Sequence, residues 1–198
     1  MHIQHLTAGE YVTSTWAGGI TRQIAIRPPG AQYSQRDFLW RLSSAQVDLE
    51  ESDFTALPDY RRYIAVLAGE IRLSHQGGPW IELPAFRVHA FDGAHATRCL
   101  GRCTDFNLML RKGRCEGSMA ALELPAGAAE RLHKPQGHAL AVYCAQGDVM
   151  AEAAGGQYTL RRGDTLLLEG EAGDCALRSP QGAMLMLARV QPPETDNP

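Results

Sequence analysis

Hydrophobic and polar positions alternate along most of this chain. Residues 22–27, 38–47, 62–67, 71–75, 104–111, 140–144, 158–160, 165–168 and 184–190 each read as a strand, by period-two alternation or as a short apolar run. Turn-forming clusters punctuate them: Pro28-Pro29-Gly30, Ala68-Gly69-Glu70, Gln76-Gly77-Gly78-Pro79, Gln146-Gly147-Asp148, Gly155-Gly156 and Gly163-Asp164. This cadence predicts an all-β sandwich or barrel. The one helix candidate, 127–133, is too short to stand alone and lies where a linker is needed.

Two strands depart from simple alternation. In 37–47, Phe38, Trp40, Leu42 and Ser44 share one face, and Leu39, Arg41, Ser43, Ala45 and Val47 the other. Both faces are mostly apolar, so Arg41 is drawn out of water and needs a partner, either an internal carboxylate or a bound anion. In 104–111, Asp105, Asn107, Met109 and Arg111 share a face opposite Phe106, Leu108 and Leu110. Such a row suits a ligand chamber, in which a few polar groups orient a ligand against apolar walls, and equally suits the solvated side of a half-buried strand. Ahead of both, Trp16-Ala17-Gly18-Gly19-Ile20-Thr21 offers exposed amides, an aromatic wall and a hydroxyl, as in a loop folded over a site; a plain Gly-Gly turn beside a core tryptophan explains it as well.

A weak internal repeat joins the two halves. Val66-Leu67-Ala68-Gly69-Glu70-Ile71 and Ala145-Gln146-Gly147-Asp148-Val149 each place a turn glycine before an acid between apolar strands. The strand, Gly-Asp turn, strand cadence of 158–168 resembles the double-stranded β-helix of cupins. The fold expected is therefore a bicupin of two jelly-roll lobes: residues 1–125 carrying the ligand site, a linker at 126–135, a second lobe at 136–190, and a flexible tail at 191–198.

Composition narrows the chemistry. The chain has 198 residues, 44% of them hydrophobic, and a net charge of −3 from 19 basic and 22 acidic residues mixed along its length, which leaves no basic field for nucleic acid. No apolar run is long enough to span a membrane and no signal peptide is evident, so a soluble cytoplasmic protein is expected, with a homodimer compatible. The five cysteines are scattered without C-x-x-C spacing and read as reduced, buried thiols. Seven histidines form no H-x-H or H-E-x-x-H set, and G-x-S-x-G and G-x-G-x-x-G are absent; neither metal nor cofactor is expected.

In order along the chain, Trp16, Gly18-Gly19, Thr21, Asp37-Phe38, Trp40-Arg41-Leu42-Ser43, Phe54, Pro58, Tyr60, Arg62, Gly69, Phe91, Gly93 and Asp105-Phe106-Asn107-Leu108-Met109 resemble the HutD/Ves family, metal-poor bicupins associated with histidine utilisation. The resemblance covers about residues 12–113. It departs at Glu51-Ser52-Asp53-Phe54-Thr55, where the family reads Asp-Gly-Pro-Phe-Ser, and at Asp59-Tyr60-Arg61-Arg62, where it reads Gly-Tyr-Asp-Arg. The resemblance implies a regulator that binds a small pathway acid such as urocanate or a formylated glutamate. Arg41, with Arg62, would clamp its carboxylate; Ser43, Thr21 and Asn107 would orient it; Trp16 and Met109 would wall it; and Gly18, Gly19, Trp40 and Asp105 complete the candidate site. Two alternatives stand beside this non-enzymatic reading. One is a metal-independent hydrolase or isomerase with Asp105 as general base. The other is a structural protein whose Arg41 pairs internally with Asp105 or Glu50.

Overall fold

The computed structural model describes residues 1–193 and contains nineteen strands: β1 (His2–Leu6), β2 (Val12–Trp16), β3 (Gly19–Arg27), β4 (Trp40–Val47), β5 (Glu51–Asp53), β6 (Tyr60–Gly69), β7 (Ile71–His75), β8 (Ile81–Leu83), β9 (Val88–Asp92), β10 (Thr97–Leu100), β11 (Cys103–Arg111), β12 (Glu116–Leu124), β13 (Ala129–Lys134), β14 (Ala139–Gly147), β15 (Val149–Ala153), β16 (Gly156–Leu160), β17 (Thr165–Glu169), β18 (Gly173–Arg178) and β19 (Ala183–Gln191). The only described helices are two single turns, Ala8–Glu10 and Tyr33–Gln35. The all-β expectation is met.

The described residues form two compact units, residues 12–115 and residues 1–11 with 116–193. The first holds a six-stranded sheet, β2-β3-β4-β11-β6-β9, and a four-stranded sheet, β5-β10-β7-β8. The second holds a five-stranded sheet, β1-β17-β14-β19-β12, and a four-stranded sheet, β13-β18-β15-β16. Every named pairing is antiparallel.

These boundaries correct the sequence expectation in three places. Residues 1–11 belong to the second unit, because β1 pairs along its length with β17. The expected linker and helix become β13, since Ala129–Lys134 zips against β18 and edge pairing overrides a short run of good helix formers. Gln191, expected in the tail, ends β19 opposite Glu116; residues 194–198 of that tail lie outside the described residues.

The repeat read from the two glycine turns is present in the topology. The order β4-β11-β6-β9 over β5-β10-β7-β8 recurs as β12-β19-β14-β17 over β13-β18-β15-β16. Gly69 and Gly147 end equivalent strands with φ +82° and +76°, and a Cβ on either would lie 2.4 Å from a carbonyl oxygen, of Arg102 and Gly182 respectively, so both turns require glycine. Each equivalent pair also carries a register shift near this end, at Thr104/Asp105 and at Cys144/Gln146.

That common register exposes a difference. Counting from the glycines, Asp105 corresponds to Leu185, Asn107 to Leu187 and Ile64 to Val142. The interior of the second unit is a continuous apolar core including Leu124, Leu140, Val142, Leu185 and Leu187. The first unit has an apolar floor of Val47, Ile64, Val66, Leu73 and Phe91, and mainly polar residues, with Met109 and Ala45 among them, on the rest of that face. Leucines at these positions would serve a solid core, so the polar set is not dictated by the fold.

Candidate functional site

The hydrogen-bond register of the six-stranded sheet arranges the site in rows. Met109 pairs with Arg41 on one side and Arg62 on the other. Asn107 pairs with Ser43, which pairs with Gln23; Asp105 pairs with Ala45, which pairs with Thr21. Because strand residues two apart share a face, the three rows point the same way. All of these but Gln23 line a cavity of about 330 Å³, joined by Trp16, Tyr33 and the segment 52–55.

Both arginines are buried, at 5% and 7% exposure. The Nε of Arg41 donates to Gln23 Oε1 at 2.8 Å, one terminal nitrogen donates to Ser43 Oγ at 3.1 Å, and the guanidinium lies 4.5 Å from the centre of the Tyr33 ring. Arg62 packs against Phe54 and Phe91, at 4.9 and 5.0 Å from ring centres that are themselves 6.1 Å apart, and donates only a long bond, 3.4 Å, to the Thr55 carbonyl. Its Nε has no partner. Burial pushes Arg41 down to about 10, with Tyr33 opposing and Arg62 and Arg36 adding to the shift, and burial also lowers Arg62. Among the described residues neither forms a salt bridge: Asp105 is not within ion-pair distance, and Glu50 pairs with Arg102. The internal ion pair considered from the sequence is not formed, because Asp105 stands four residues along β11 from the arginine row.

At the other end Asp105 is 4% exposed. Its Oδ1 accepts from the Ala45 amide at 3.1 Å and from Asn107 Nδ2 at 2.6 Å. Burial raises its carboxyl to about 7 against the lowering effect of these bonds and of the two arginines. Asn107 has its amide nitrogen committed to Asp105 and its buried Oδ1 without a partner. The cavity thus presents an orphan donor at Arg62 Nε and an orphan acceptor at Asn107 Oδ1.

Of the residues expected from the sequence, Trp16, Thr21, Arg41, Ser43, Arg62, Asp105, Asn107 and Met109 line this one cavity. Gly18, Gly19 and Trp40 do not. Trp40 takes the opposite face of β4, buried with the Arg27 guanidinium 5.5 Å from its ring centre. Gly18 makes room for the Trp16 ring, which a Cβ would meet at 2.1 Å, and Gly19 lies so close to the Gln46 carbonyl oxygen that a Cβ would come within 1.9 Å of it. Sequence reading missed Tyr33, Gln23 and Phe54. Gln23 was accessible to the alternation argument; Tyr33 and Phe54 come from connecting segments whose path no strand pattern encodes.

Near the arginine row, three histidines gather without forming a metal site. His75 Nε2 and His89 Nε2 are 2.8 Å apart, with ring centres at 5.1 Å and planes at 16°. The centres are farther apart than the nitrogens by little more than the two ring radii, so the rings meet edge to edge and their nitrogens face each other instead of converging on a third point. Among the described residues no group of three or more histidine, cysteine, aspartate or glutamate side chains is placed to hold a metal ion.

Fold and site together define an all-β, cupin-like protein with one solid lobe and one polar-lined lobe. The chain belongs to the HutD family, whose model matches residues 8–186. It is similar to the crystal structure of a conserved protein of unknown function from Pseudomonas aeruginosa PAO1, at 26% identity and TM-score 0.85 over 96% of this chain and 100% of that one. HutD from Pseudomonas fluorescens superimposes at TM-score 0.75 and 24% identity, covering 95% of this chain and 98% of that one. A bacterial pirin from Escherichia coli, solved in complex with nickel(II), shares the fold at TM-score 0.72 and 9% identity, covering 97% of this chain and 100% of that one. No curated protein matches the sequence. No described helix is long and apolar enough to cross a membrane.

Proposed function

We propose that this protein is a non-enzymatic binder of a small carboxylate and serves as a regulator in histidine utilisation, sensing urocanate or a formylglutamate-like acid. One observation carries the reading: two buried guanidiniums face a common cavity with no carboxylate within ion-pair distance among the described residues, and one of them has an unused Nε–H. Buried cations without counter-ions are costly unless an anion joins them, and arginine is suited to planar, bidentate recognition of a carboxylate. The unpartnered Asn107 Oδ1 invites an N–H on the same ligand. Urocanate and N-formylglutamate each combine a carboxylate with an N–H. Family membership supports the pathway assignment.

The test is calorimetric titration with urocanate and N-formylglutamate, alongside thermal shift, since a ligand of the native state raises apparent stability. Saturable binding that falls with Arg41→Ala supports the reading; no binding of either acid overturns it.

A second reading is favoured by the Asp105 carboxyl, held near 7 by burial in the cavity that the two arginines also line: a metal-independent hydrolase or isomerase with Asp105 as general base. Turnover of either acid by the pure protein, abolished by Asp105→Asn, would establish it in place of simple binding.

A further inference from the structure

The histidine contact beside the cavity has a defined protonation pattern. Both contacts of the Thr97 hydroxyl are satisfied together in one arrangement, with Oγ1 donating its single hydrogen to the His95 carbonyl at 3.1 Å and accepting from His75 Nδ1 at 2.8 Å. Neutral His75 therefore carries its proton on Nδ1 and presents a lone pair at Nε2. His89 must then donate from Nε2 across the 2.8 Å contact. A proton added to the pair goes to His89 Nδ1, which makes the existing N–H···N bond charge-assisted. A second would set two N–H groups against each other. The pair is built to take one proton.

The same pair packs against Phe91, a ring that supports Arg62. Ring centres of His75 and His89 lie 4.9 and 5.8 Å from that of Phe91, which also meets the Arg62 guanidinium at 5.0 Å and the Phe54 ring at 6.1 Å. The groups that face the pair are cationic or neutral. They are Arg62 from β6, Arg87 just before β9, His95 after β9, whose ring centre is 5.9 Å from that of His75, Thr97 from β10, and Phe91 itself. Burial first, then these like charges, hold both imidazoles below their ordinary value; Arg62 is among the groups acting on His75 and Arg87 acts on His89.

We propose that the His75–His89 pair is a proton-binding site linked to the anion site at Arg62, so that the carboxylate ligand and one proton are taken up together. The inference rests on the carboxylate reading above and adds a regulator to it. An anion on Arg62 offsets the charge that opposes protonation of the pair; reciprocally, the protonated pair strengthens the positive field at the anion. The two events share one coupling free energy, so the ligand binds more tightly as pH falls below the ordinary imidazole range.

N-formylglutamate, which has no group titrating near neutrality, is the probe. Its affinity is measured by calorimetry between pH 5.5 and 8 in buffers of differing ionisation enthalpy, for the wild type, His89→Gln and His75→Gln. Asp105 lies in the same cavity and contributes to all three proteins, so the differences between them isolate the pair. The expected result is binding about fivefold tighter at pH 5.5 than at 7.5 in the wild type beyond that in either variant, with matching fractional proton uptake. Equal pH slopes and equal proton uptake in proteins that all bind would overturn the linkage and leave the carboxylate reading standing. Absence of binding at every pH would overturn both. Ring ¹⁵N spectra of the ligand-free protein provide a readout independent of affinity: His75 as the Nδ1–H and His89 as the Nε2–H tautomer are expected above pH 7.5, and the reverse assignment contradicts the pair described here.

Discussion

Arg41 and Arg62 stand on the two strands that flank β11, both in register with Met109, and each turns a buried guanidinium to the same cavity without an ion-pair partner among the described residues. Two buried like charges separated by a single strand oppose folding on their own. Their placement makes sense for a fold that receives an anion.

Arg41→Ala is expected to weaken carboxylate binding about tenfold to hundredfold, the equivalent of about 1.5–3 kcal/mol for a lost charge-assisted hydrogen bond. Calorimetric titration of the folded variant checks this. Unchanged affinity would remove Arg41 from the site.

Arg62→Met separates binding from stability. Methionine keeps the packing against Phe54 and Phe91 and removes a buried cation whose Nε has no partner. The ligand-free variant is expected to gain about 1 kcal/mol, seen as a Tm rise of about 2–4 °C, while losing the ligand-induced shift. A clear fall in Tm would show that Arg62 serves the fold.

Asp105 sets a pH dependence of stability. Its folded value, about 7, lies above the ordinary carboxyl value of 3.8, so between these limits the native state binds more protons than the unfolded chain. Its contribution is therefore favourable on the acid side and is lost as pH rises from about 4 to 7. Asp105→Asn should flatten this part of the urea-midpoint profile and stabilise the protein at pH 8 by something on the order of 1 kcal/mol or more. An unaltered profile would contradict the burial effect.

The paired glycines should behave differently. At Gly19, with φ +147°, a Cβ would lie 1.9 Å from backbone oxygen, so Gly19→Ala is expected to cost roughly 2–4 kcal/mol in chemical denaturation. At Gly18 the obstacle is the Trp16 ring and the Leu49 side chain, both able to swing away. Gly18→Ala is expected to stay within about 1 kcal/mol of wild type and to alter ligand affinity through Trp16. Equal destabilisation by the two would refute this division of roles.

Strand alternation made much of the site legible. It placed Arg41 with Ser43, and Asp105 with Asn107 and Met109, on single faces, and the cavity brings those faces together. The same rule offered Trp40 the opposite face, and the family resemblance drew it into the site all the same; the face decides. What no pattern encodes is which connecting segment folds over a sheet, so Tyr33 of the short helical turn and Phe54 after β5 went unread. The His75–His89 bond joins strands of different sheets, fourteen residues apart, and alternation within a strand says nothing of it. At 127–133 local helix formers misled, because pairing with β18 outweighs propensity over so few residues.

The most direct test compares urocanate with its carboxamide by calorimetric titration of the wild-type protein near neutral pH. The two share size, ring and N–H, and differ in the charge that Arg41 and Arg62 are held to recognise. The expected result is saturable binding of urocanate and at least tenfold weaker binding of the carboxamide. Equal affinity for the two would contradict a carboxylate site built on these arginines, as would binding of neither these nor N-formylglutamate.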